Sequence, residues 1–101
     1  MTASVRLENN RLMVSGDLNF VTVPELSAQS LPLLMECNAL QFDLSRVTSS
    51  NSAGLALLLE WLKHAKKHAK TISFAHLPEK LMQIAVVAGI DKMIVVGQAI
   101  K

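Results

Sequence analysis

A chain of 101 residues, half of them apolar and with four scattered glycines, has the make-up of one compact globular domain rather than a disordered or fibrous segment. Its formal charge of +2 and its few aromatics (three Phe, one Trp, no Tyr) argue against the large basic, stacking surface that nucleic acid requires. The single Cys37 cannot form an internal disulfide and no paired-cysteine metal spacing is present, which points to a reducing, cytoplasmic setting. Residues 1–10 carry Arg6 and Glu8 in place of a signal peptide's apolar stretch, and the longest apolar runs, 53–59 and 84–90, fall far short of the about 20 residues of a membrane span. Neither export nor direct membrane insertion is expected.

In chain order, residues 4–8 and 11–15 alternate apolar and polar side chains around Asn9-Asn10, a pair that tolerates left-handed backbone, and predict a hairpin. Thr22, Pro24 and Glu25 read as a capping box ahead of the spacing Leu26, Leu33, Leu34, so a helix begins there. Pro32 removes a backbone donor within it and predicts a kink or a break near Ser30. Residues 39–44 suit a buried strand, 45–51 a loop at its carboxyl end, 52–69 a long helix and 71–75 a second strand, which together form a right-handed β-α-β unit with parallel pairing. Pro78 opens a further helix with Leu81, Ile84, Ala85 and Ala88 on its apolar stripe and Gly89 as its stop, and a last strand is expected near 93–96. No repeat or linker interrupts the pattern; we place one domain over residues 2–96, with 97–101 a loose tail.

The chain lacks the constellations of an enzyme. Neither Cys37 nor a serine of 45–52 has a histidine within a recognisable pairing, and Asp17 and Asp43 have no fixed separation as a carboxylate couple. Gly54 stands alone, without the glycine-rich cradle and Lys-Ser/Thr ending of a nucleotide loop. His64 and His68 lie one helical turn apart, but among Lys63, Lys66, Lys67 and Lys70, which repel a cation. No catalytic residue, cofactor or metal is assigned.

Drawn at 3.6 residues per turn, the helix from Ser52 places Gly54, Leu55, Leu58, Leu62, Ala65 and Ala69 on the core stripe. Leu57 and Trp61, flanked by Ala53 and His64, fall to one side of it. Either they wrap a sheet edge or meet the first helix, or they anchor a partner protein, for which the indole is the preferred residue. Ser52 stands at the helix start as a cap, a role that Asn51 or Ser50 also suits, or as a contact for an anion. The candidate partner-binding set is Ser52, Ala53, Leu57, Trp61 and His64, with Asn51 and Ser52 at the helix head.

The stretch Asp43-Leu44-Ser45-Arg46-Val47 followed by Asn51-Ser52-Ala53-Gly54-Leu55-Ala56-Leu57-Leu58-Leu59 resembles the signature of STAS domains, which include anti-sigma factor antagonists and sulfate-transporter tails. Gly16-Asp17-Leu18-Asn19 is similar to the family's Gly-Glu-Leu-Asp segment. The resemblance implies the STAS fold, a mixed β-sheet with helices packed on it, and covers nearly the whole chain. It is strongest with the branch that serves phospholipid-transport ABC complexes of Gram-negative bacteria. That branch implies a non-enzymatic cytoplasmic subunit that binds the transporter's ATPase, and through it the membrane permease. It also implies a role for the hydroxyl at the helix start, which Ser52 supplies. Antagonists of sigma-factor pathways, the alternative, carry Asp-Ser-Ser-Gly and are switched by phosphorylation of the serine before the glycine; here Asn51 and Ala53 replace the aspartate and that serine.

Overall fold

Asn9 and Asn10 both adopt positive φ (51° and 64°), the backbone of a tight hairpin turn, and join β1 (Ala3–Glu8) to β2 (Arg11–Leu18) in antiparallel register from Ala3↔Gly16 to Glu8↔Arg11. The computed structural model describes residues 3–90. After β2 come α1 (Val23–Glu36), β3 (Ala39–Ser50), α2 (Ser52–Lys67), β4 (Thr71–Ala75) and α3 (Glu79–Ala88). The sheet has the order β1-β2-β3-β4, with β2–β3 and β3–β4 parallel, so it is mixed as expected. The last strand anticipated near 93–96 lies outside the described residues.

Alternation along the strands builds the core. Leu12, Val14 and Leu18 of β2, Leu40, Phe42 and Leu44 of β3, and Ile72 and Phe74 of β4 are all buried, and they pack with Leu26 and Leu34 of α1, the apolar side of α2, and Leu81 and Ala85 of α3. The helices thus cover one face of the sheet. The other face, carrying Arg6, Arg11, Met13, Ser15 and Gln41, has no helix over it among the described residues.

Three local expectations need correction. Residues 45–50 are not a loop but the second half of β3: two extra residues relative to β2, at the breaks between Met13/Ser15 and Gly16/Asp17, bulge the strand while it stays paired as far as Leu18↔Ser50. Their run of serine and threonine hides the strand because no buried face imposes alternation there. α1 is assigned as one helix through Pro32, without a break near Ser30. The expected capping box does not form: the Thr22 hydroxyl donates to the Asp17 carbonyl (2.7 Å) and accepts from Asn19 N–H (3.0 Å), which ties the start of α1 back to β2 instead.

Candidate functional site

α2 is positioned by its first turn. Asn51, at extended φ/ψ, caps the helix, its Oδ1 accepting from the Ala53 N–H at 2.8 Å, and its own N–H donates to the Leu18 carbonyl at 3.2 Å. Of the residues considered for the cap, Asn51 takes the role. Ser52 is exposed and its hydroxyl makes no hydrogen bond among the described residues. Gly54 lets the helix approach the sheet: a Cβ there would sit 2.6 Å from Ser50 Oγ and 3.1 Å from Leu18 Cβ. Replacing Gly54 by Ala is expected to cost about 1–3 kcal/mol in urea unfolding, with partial recovery when Ser50→Ala removes the nearer atom; an unchanged midpoint would show that the helix is free to lift.

The buried side of α2 is turned by roughly 40° from the stripe drawn on the sequence. Ala53, Gly54, Leu55, Leu57, Leu58, Trp61 and Ala65 are buried, whereas Leu62 is half-buried and Ala69, at φ 56°, lies beyond the helix end. Leu57 and Trp61 are both 0% exposed. The Trp61 ring stacks on Phe42 with centroids 4.2 Å apart, and its Nε1 donates to Ser30 Oγ at 2.7 Å, which in turn donates to the Ser27 carbonyl at 3.2 Å. Ser27 Oγ donates to Glu60 Oε1 at 2.7 Å beside this chain of bonds. Trp61 is therefore the post between α1 and the sheet. The flank expected to offer Leu57 and Trp61 to a partner is not a surface, because α1 occupies it, and Ala53 is likewise enclosed at 3% exposure.

His64 is half-buried, three turns along α2 from Ser52, or about 18 Å at 1.5 Å per residue, so the two do not form one site. Its ring lies parallel to that of His68 with centroids 6.2 Å apart. No group of three or more potential metal ligands occurs among the described residues.

The structure instead gathers another set at the carboxyl ends of β2 and β3, beside Ser52. Asn19 Oδ1 accepts from the N–H groups of Val21 (2.8 Å) and Thr22 (3.0 Å), and Val23 N–H donates to the Asn19 carbonyl (2.9 Å). This turn holds Phe20 and Val21 outward, 71% and 85% exposed. Next to it the Asp17 carboxylate accepts from the Thr48 hydroxyl, and hydrogen bonds from Thr48 and Ser49 hold its pKa below the ordinary value. On the outer face burial works against the charge of Asp43, but the hydrogen bonds from Ser45, with His76 and Arg11 nearby, outweigh it and lower that pKa as well. Sequence reasoning missed Phe20 and Val21. The available signal was two large apolar residues inside an Asn19–Thr22 turn, where neither strand nor helix has use for them.

The sheet order, the helices on one face and the buried Gly54 contact define a STAS-type α/β domain, and solved structures share it. An anti-sigma factor antagonist, SpoIIAA in its unphosphorylated form, superposes with a TM-score of 0.63 at 11% identity over 82% of this chain and 80% of its own. A candidate anti-sigma factor antagonist from Thermotoga maritima gives 0.72 at 16% identity over 91% and 82%. A structure of Mglu gives 0.59 at 18% identity over 76% of this chain, but only 20% of that one. The chain belongs to the family described as "Mlab, STAS domain", whose model matches residues 1–97. No curated protein matches the sequence. STAS domains are regulatory and binding modules that act through protein–protein interactions, and no described helix of this one is long and apolar enough to cross a membrane.

Proposed function

We propose that this chain is a non-enzymatic subunit that binds the ATPase of an ABC phospholipid transporter and so supports maintenance of outer-membrane lipid asymmetry. It would be held at the cytoplasmic side of the inner membrane by that partner. The match to the MlaB-type family over residues 1–97 carries the reading. Two features of the site support it. The residue before Gly54 is Ala53, a buried methyl group with no hydroxyl to phosphorylate, which removes the usual switch of sigma-factor antagonists. Ser52, by contrast, presents a free hydroxyl at the head of α2, beside the bare Phe20–Val21 turn, and this end is the docking surface. No nucleic acid enters the reading.

The test is affinity purification of the tagged chain from detergent-solubilised membranes. Recovery of an ATPase with its permease is expected; recovery of a soluble kinase-like anti-sigma protein instead would replace this reading with partner switching. Two substitutions separate folding from contact. Asn51→Ala removes the cap and should cost about 0.5–2 kcal/mol of stability. Ser52→Ala should leave the unfolding midpoint within about 0.5 kcal/mol of the original, while lowering stimulation of the ATPase. Full stimulation by Ser52→Ala would remove this serine from the contact.

A further inference from the structure

The face of the sheet turned away from the helices holds a depression of about 290 Å³ lined by Ser4, Arg6, Met13, Ser15 and Arg46. Strand register builds it: Ser4, Ser15 and Arg46 stand in one row across β1, β2 and β3, and Arg6 and Met13 stand in the next. The hydroxyls of Ser4 and Ser15 are 2.9 Å apart, so one of their two protons bridges them and the other is free to donate outward. Of the carboxylates on this face, Glu8 pairs with Arg6 at 2.5 Å, Asp43 with Arg11 at 3.5 Å, and Asp17, two residues along β2 from Ser15, accepts from the Thr48 hydroxyl. Arg46 is exposed and has no carboxylate partner among the described residues. Among the described residues one guanidinium, that of Arg46, is therefore left without an ion-pair partner, on the rim of a concave site that also offers hydroxyl donors.

The geometry points to a binding site for a phosphate ester in this groove, on the face of the sheet opposite α2 and independent of the docking end. The Arg46 fork takes two phosphate oxygens from one side, and the Ser4–Ser15 pair and the outer edge of Arg6 take a third from the other. Donors arriving from several directions suit a tetrahedral oxyanion better than a planar carboxylate. Met13 supplies an apolar floor for the organic part of the ester. The same chemistry serves a soluble phosphate ester and a lipid headgroup.

The experiment is an amide NMR titration of the full chain with glycerol 3-phosphate, against sodium chloride at equal ionic strength, paired with flotation on phosphatidylglycerol and on phosphatidylcholine vesicles. Saturable shifts are expected at Ser4, Ser15 and Arg46, and Arg46→Gln should weaken the affinity by about tenfold or more, the loss of a charged hydrogen-bonding group, with an unchanged melting temperature. Ser15→Ala should weaken it less. Binding of the ester without flotation identifies a soluble ligand, whereas Arg46-dependent flotation on phosphatidylglycerol alone identifies a headgroup. Shifts that fail to saturate, that survive Arg46→Gln, or that centre on Lys63, Lys66 and Lys67 would overturn the assignment.

Discussion

Trp61→Ala is expected to destabilise the domain by about 3–5 kcal/mol, the range for removing a large aromatic from a packed core. A domain of this size has only about 5–15 kcal/mol in all, so the variant will be close to unfolding at physiological temperature. Three interactions go together: the stack on Phe42, the wedge between α1 and the sheet, and the indole donor to Ser30 Oγ. Trp61→Phe isolates the last of them. It keeps a ring over Phe42 and leaves Ser30, at 0% exposure, without its donor, for an expected cost of about 1–3 kcal/mol. Denaturant unfolding of both variants checks the order. Any loss of partner binding in Trp61→Ala should match its unfolded fraction; a well-folded variant that no longer binds would make Trp61 an interface residue after all.

That outcome turns on a rotation of the helix that the sequence leaves open. Leu57, Leu58, Trp61 and Ala65 have the i, i+3, i+4 spacing of a core stripe, yet so do Leu55, Leu58, Leu62 and Ala65, and a leucine-rich helix satisfies both. What decides between them is α1, whose Ser30 offers the oxygen that a buried indole needs, and no local pattern in α2 reports that neighbour. The hairpin, the β-α-β unit and the Gly89 stop were legible because each rests on local chemistry: two Asn at positive φ, buried apolar strands, and a glycine at φ 78° closing α3. The candidate site was legible at its Asn51 cap for the same reason. Its other half was not, because the exposure of Phe20 and Val21 follows from a turn set by Asn19 and Thr22 side chains rather than from hydrophobic periodicity. The groove around Arg46 was hidden too, since it needs the register of three strands, including the two extra residues of β3.

On the proposed function, Phe20→Ala combined with Val21→Asp is expected to weaken binding to the ATPase by about thirtyfold or more, equivalent to about 2 kcal/mol, without moving the unfolding midpoint. Side chains 71% and 85% exposed contribute little to the core, so their removal has little folding energy to forfeit. Their cost lies in keeping apolar surface in water, and three hydrogen bonds around Asn19 hold the turn in the conformation that does so. A pre-ordered aromatic loses little freedom on docking, which favours affinity through a slower dissociation rate. Lys63→Glu and Lys67→Glu, on the solvent side of α2, should alter mainly the association rate and its salt dependence. Val87→Asp is the control: this valine is 89% exposed on α3, away from the head of α2, so an apolar-to-acidic change there should leave affinity intact. Surface plasmon resonance against the purified ATPase, with thermal unfolding of each variant, reads all of these. Loss of binding in Val87→Asp with normal binding in the Phe20–Val21 variant would move the docking surface from the strand ends to α3.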